Sequence, residues 1–176
     1  MKESTLTRQQ ILLLLDELNK NLKKEKIIGE LYVVGGAVMC MAFQAREATK
    51  DLDAYFVPKE KIKKIAKKMS DDMGLPSHWL NDAVKGYFGD HSQFDSFLEK
   101  DHLRVFTARP QYLLAMKCLS MRLGPEFHDE EDVRYLLRYL NIESYEEALK
   151  LIQEYYPLEK FPQKTLYALE EILINK

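Results

Sequence analysis

The sequence predicts an α+β fold, with a core of strands and helices over residues 1–109 and a helical C-terminal subdomain over 110–176, packed as one unit. Three observations carry this expectation. Short β-rich runs at 31–34, 51–57 and 102–107 fall in the first two-thirds of the chain. From Pro110 onward, apolar residues recur at helical spacing instead. The composition fits one globular domain rather than a disordered or collagen-like chain: 176 residues, 46% hydrophobic, 31% charged, with 7 Gly and 6 Pro. A chain of that size buries roughly two-thirds of its unfolded surface.

The elements follow in order. Residues 5–24 form an amphipathic helix, with Thr5 or Thr7 as N-cap and Ile11, Leu14, Leu15, Leu18 and Leu22 on one face. Ile28-Gly29-Glu30 breaks it, and Leu31-Tyr32-Val33-Val34 is a strand ended by Gly35-Gly36. Residues 37–45 are helix-compatible, and 51–57 read as a second strand halted by Pro58. The helix over 59–69 sets Ile62, Ile65, Ala66 and Met69 against Lys59, Lys61, Lys63, Lys64, Lys67 and Lys68. Its basic side is either a solvated face or a patch that meets an RNA or DNA acceptor.

A loop at 71–76, a short helix at 78–85, an irregular stretch at 86–101 and a third strand at 102–107 come next. Pro110 suits the first turn of a helix over 111–123, which Gly124-Pro125 ends. Further helices run over 127–140, from the capping box Ser144-Tyr145-Glu146-Glu147, and near 161–174 behind Pro162. Tyr135, Tyr139, Tyr155, Tyr156 and Phe161 recur near helical spacing there and read as packing.

Several function classes fall away. The net charge of −2 lacks a bulk electrostatic footprint for nucleic acid, although a local one remains open. No apolar run, that at 11–15 included, is long enough to span a bilayer, so no membrane association is expected. The first residues lack a secretory pattern, and a cytoplasmic protein is expected, with Cys40 and Cys118 as reduced core residues. His78, His91, His102 and His128 show no metal-ligand spacing, and neither a GxSxG elbow nor a Walker-type loop is present.

The informative stretch is Val33-Val34-Gly35-Gly36-Ala37 followed by Arg46-Glu47-Ala48-Thr49-Lys50-Asp51-Leu52-Asp53. Two glycines between a strand and a helix let the backbone pass close to a ligand, and the helix N-terminus suits a phosphate. Asp51 and Asp53, two apart on a strand, leave the same face. At roughly 3.3 Å per residue their charges lie about 7 Å apart and repel unless neutralised. Mg²⁺ prefers carboxylates together with triphosphate oxygens as ligands. A phosphate-binding turn beside an Asp-x-Asp strand describes metal-assisted phosphoryl or nucleotidyl transfer.

Gly35-Gly36 followed by Arg46-x-x-Thr49-x-Asp51-x-Asp53 resembles the polymerase-β-like nucleotidyltransferase superfamily. Within it, the stretch is most similar to the minimal prokaryotic branch that includes AbiEii-type abortive-infection toxins. The resemblance extends to Tyr112-Leu113-Leu114-Ala115-Met116-Lys117 and Asp129-Glu130-Glu131-Asp132-Val133, and spans roughly residues 30–140. Trp79-Leu80-Asn81-Asp82 also resembles these relatives, without an assigned chemistry.

The resemblance implies a small mixed nucleotidyltransferase-type sheet and a Mg²⁺-dependent enzyme that moves an NMP from an NTP to a hydroxyl on RNA, protein or a small molecule. It implies that Gly35, Gly36, Arg46 and Thr49 hold the nucleotide, and that Asp51 and Asp53 bind the metal and act in catalysis. Lys117 would contact phosphate, or else snorkel from an amphipathic helix. Asp129 or Asp132 would serve as a further acid, or as helix N-terminal charges. The family's third metal-binding carboxylate has no counterpart on the third strand, which carries His102 and Arg104; Asp101 lies at its edge and Asp95 farther off. That departure leaves an alternative, a degenerate binding protein acting with a partner protein in a toxin–antitoxin-like pair.

Overall fold

The computed structural model describes residues 5–175. It is α+β, with seven α-helices, a five-stranded mixed sheet and a two-stranded ribbon among the described residues. Two compact units divide the chain. One comprises the chain up to Gly86 together with Phe94–Ala108; the other comprises Tyr87–Gln93 together with the chain from Arg109 onward.

In the first unit, β1 (Leu6–Thr7) leads into α1 (Arg8–Lys24). Of the two candidate caps, Thr7 takes the role: its hydroxyl accepts from the Gln10 amide, and the Gln10 side chain answers at the Thr7 amide. Such a cap contributes about 1 kcal/mol. Ile11, Leu14, Leu15, Leu18 and Leu22 are all buried, each worth about 1.5–3 kcal/mol relative to exposure. β1 pairs with β3 (Ala48–Thr49), Leu6 opposite Thr49, a ribbon the sequence reading did not contain.

The main sheet has the order β5-β4-β2-β7-β6, with β2 (Gly29–Val34), β4 (Leu52–Val57), β5 (Leu80–Asn81), β6 (Phe94–Glu99) and β7 (Leu103–Ala108). β4 runs antiparallel and β7 parallel to the central β2; β5 is parallel to β4, and β6 antiparallel to β7. Leu31, Val33, Leu52, Ala54, Phe56, Leu103 and Val105 are buried on one face. α1 and α3 (Lys59–Met73) pack against this sheet and each other. Buried Trp79 fastens the sheet edge to α3, its indole Nε1 donating to the Ala66 carbonyl at 3.1 Å. On the opposite face Tyr32 stacks on Phe106 at 4.9 Å, meets Phe94 edge-on at 5.2 Å and lies 6.2 Å from Tyr55.

Four expectations need correction. The stretch 86–101 contains the full strand β6, hidden because a bulge between Ser96 and Leu98 breaks its period of two. In place of a helix at 78–85, β5 is followed by a 3₁₀ turn at Ala83–Tyr87. The helix after the glycines, α2 (Gly35–Met41), begins on Gly35 itself and stops before residue 45. Asp51 precedes β4 by one residue instead of lying within it.

The second unit carries α4 (Pro110–Ser120), α5 (Asp129–Tyr139), α6 (Tyr145–Gln153) and α7 (Gln163–Ile174). α4 is the central element, buried from Tyr112 to Cys118 and in contact with the other three. Tyr156 donates to the Tyr87 carbonyl at 2.6 Å, and Ser92 to the Tyr112 hydroxyl at 3.0 Å, which tethers Tyr87–Gln93 to the helices. Cys40 and Cys118 are free and buried, as expected, and burial pushes the Cys118 thiol up to about 12. No helix among the described residues is long and apolar enough to cross a membrane.

Candidate functional site

The site is built where β2 turns into α2. Gly35 has φ +68°, a left-handed conformation that costs a residue with a Cβ about 1–2 kcal/mol. Asp53 lies in register opposite Val34, so its carboxylate reaches the same turn; a Cβ on Gly35 would sit 3.3 Å from Asp53 Oδ2. A Cβ on Gly36 would stand 2.6 Å from Arg46 Nη1 and 3.2 Å from Thr49 Oγ1. Gly35 is thus fixed by its backbone conformation, and Gly36 lets the Arg46 guanidinium and the Thr49 hydroxyl close over the turn. No side chain caps the first turn of α2.

Thr49 is placed by the β1–β3 pairing, and its hydroxyl donates to the Asp51 carbonyl at 3.3 Å. Asp51 and Asp53 are half-buried, with Leu52 between them fully buried, the alternation that directs both carboxylates away from the core. Asn81, paired with Asp53 across β4–β5, donates its amide to Asp51 Oδ2 at 3.1 Å. Gly35, Gly36, Arg46, Thr49, Asp51 and Asp53 are thus brought to one end of the sheet.

Among the described residues no group of three or more His, Cys, Asp or Glu is gathered to hold a metal ion. The donor set here is two carboxylates, which suits Mg²⁺, an ion commonly held by one or two carboxylates plus substrate phosphates and water. Neither candidate for a third carboxylate joins them. Asp101 is exposed and bonded to Lys23 at 3.2 Å. Asp95 lies on β6 opposite Thr107, which lies opposite Val33; Asp53 lies opposite Val34. One step of register puts Asp95 and Asp53 on opposite faces.

Lys117, Asp129 and Asp132 belong to the second unit and form a cluster of their own. Lys117 Nζ lies 3.1 Å from Asp129 Oδ1 and 2.7 Å from Asp132 Oδ2, with all three residues buried. Arg122 adds its Nε and its backbone amide to Asp129 Oδ2, at 2.9 and 3.0 Å. Burial alone would raise the Asp129 carboxyl, but the Arg122 hydrogen bonds and the Lys117 charge outweigh it and hold it at about 2. The lysine does not snorkel: its charge is taken up internally.

Sequence reasoning missed Asn81 and an adjoining groove. Asn81 lay within Trp79-Leu80-Asn81-Asp82, a stretch without assigned chemistry, because a two-residue strand leaves no periodic signal. The groove, about 540 Å³, has Phe56, Ala66 and Leu80 as its apolar lining and Lys63, Lys64, Lys67 and His78 among its polar residues, and it reaches Asn81. In comparisons with known proteins, no family model matches the chain, and neither a curated protein nor a solved structure matches it.

Proposed function

We propose that this protein is a Mg²⁺-dependent nucleotidyltransferase that moves an NMP from a nucleoside triphosphate to an acceptor hydroxyl. The observation that carries this reading is the crowding of Asp53 against Gly35 and of Arg46 and Thr49 against Gly36. That arrangement puts a Cβ-free backbone turn beside a pair of half-buried carboxylates. The Arg46 guanidinium and the Thr49 hydroxyl close over Gly36 beside these carboxylates, and the guanidinium supplies positive charge to a triphosphate at this turn. Asp51 and Asp53 would hold the metal, which when bound polarises the α-phosphate and favours loss of the attacking hydroxyl's proton.

Asn81 fixes the Asp51 carboxylate through its amide, and Thr49 fixes the chain entering Asp51. In the overall exchange, the acceptor oxygen bonds the α-phosphorus, pyrophosphate departs and the hydroxyl proton is released. RNA, a protein side chain and a small molecule are the acceptor classes, and a cytoplasmic setting suits the substrate. Lys117, already matched by two carboxylates, carries no part of this proposal.

The test is transfer of label from each α-labelled NTP, with Mg²⁺, to RNA, to protein including this chain, and to small hydroxyl compounds. Wild type transfers label, the Asp51→Asn/Asp53→Asn variant falls to background, and Asn81→Ala loses about 10–100-fold. Equal transfer by wild type and the double variant overturns the assignment. The placement of Asp95 and Asp101 away from the pair favours a second reading. In it, the fold binds nucleotide without transferring it and acts with a partner protein in a toxin–antitoxin-like pair. NTP binding without transfer to any acceptor supports that reading.

A further inference from the structure

We propose that the groove between α3 and β5 binds a single-stranded nucleic acid segment. The first support is charge. α3 carries Lys61, Lys63, Lys64 and Lys67, all exposed, and none of the four forms an ion pair among the described residues. The helix's other two lysines in this run are neutralised, Lys59 by Asp82 and Lys68 by Asp72. Lys63, Lys64 and Lys67 line the groove together with Glu60 and with Asp82, the latter already paired with Lys59, so positive charge prevails there in a chain whose net charge is −2.

The second support is the groove's chemistry. Beside the lysines the exposed His78 imidazole offers a surface on which a base can lie, over a floor of Phe56, Ala66 and Leu80, which are buried. Lys63 and Lys67 lie one helical turn apart on the rim, about 6 Å at roughly 1.5 Å per residue, a spacing that suits successive phosphates of an extended strand. A purely acidic peptide would use the lysines and leave this apolar lining uncovered.

Third, the groove reaches Asn81, which donates to Asp51, so a strand lying in it approaches the carboxylate pair. Nucleic acid as the acceptor rests on the nucleotidyltransferase proposal; binding of the strand does not.

The experiment is fluorescence anisotropy with a labelled single-stranded RNA, and the matching DNA, of about ten nucleotides, within the range that single-strand-binding surfaces cover. Wild type is expected to bind, with log K falling against log salt at a slope of about −2 for three neutralised phosphates. Lys63→Glu/Lys64→Glu/Lys67→Glu weakens binding at least tenfold with an unchanged circular dichroism spectrum. Lys150→Glu/Lys160→Glu/Lys164→Glu, a control with the same charge change, keeps wild-type affinity. No binding at low salt, equal loss in both variants, or equal competition by a duplex of the same sequence overturns the inference. No nucleoside triphosphate is present, so failure here leaves the transfer reading standing, and failure of transfer leaves this one standing.

Discussion

The two acidic clusters of this molecule are opposites. In the second unit Asp129 and Asp132 are 4% and 2% exposed and share Lys117, itself 7% exposed, with Arg122 completing the shell of Asp129. In the first unit Asp51 and Asp53 are half-buried, with Asp53 packed against Gly35, and Arg46 and Thr49 packed against the neighbouring Gly36. A buried charge persists only when it is matched in place, because desolvation is otherwise too costly. A half-buried pair keeps part of its hydration and stays within reach of a ligand. The first kind of cluster therefore holds a fold together, and the second kind is suited to binding.

The difference can be broken by substitution. Lys117→Met leaves two buried carboxylates facing each other and should lower unfolding free energy by about 3–5 kcal/mol in urea titrations. A loss below about 1 kcal/mol would remove the structural role given to this cluster. Acid sharpens the same point. The Asp129 carboxyl, held at about 2, lies below its unfolded value of about 3.9. Its stabilisation, about 2 kcal/mol, is therefore present above about pH 4 and lost as pH falls through the folded value. Urea midpoints at pH 5 and pH 2.5 should show this loss, and Asp129→Asn should flatten it.

Gly35→Ala comes next, because φ +68° and Asp53 Oδ2 at 3.3 Å both oppose a Cβ. It should cost about 1–2 kcal/mol in a thermal melt and weaken NTP binding as well. The smallest effect on stability belongs to Asp51→Asn/Asp53→Asn, less than about 1 kcal/mol for groups so placed. A destabilisation equal to that of Lys117→Met would mean that both clusters are structural, and the comparison would fail.

The parts legible in the sequence were those with local signatures. The buried face of α1 follows from the spacing of Ile11, Leu14, Leu15, Leu18 and Leu22. Gly35, Gly36, Arg46, Thr49, Asp51 and Asp53 were all named from their order along the chain, and they do meet in space. What was not legible depends on pairing at a distance. β6 is bulged, β1, β3 and β5 are each two residues long, and none of these leaves a period to read. The Asn81 contact with Asp51 spans 30 positions. The matching of Lys117 by Asp129 and Asp132 joins two helices whose charges, read singly, suggested a phosphate contact and helix-end charges.

The most direct measurement is a thermal-shift titration with ATP, GTP, CTP and UTP, each with and without Mg²⁺, on wild type and Asp51→Asn/Asp53→Asn. A nucleotide at 100 times its dissociation constant stabilises the folded state by about 2.7 kcal/mol, well within reach of a melt. The account predicts a Mg²⁺-dependent rise in Tm for at least one nucleotide, absent from the double variant. No shift with any nucleotide, or a shift that survives in the variant, would contradict it.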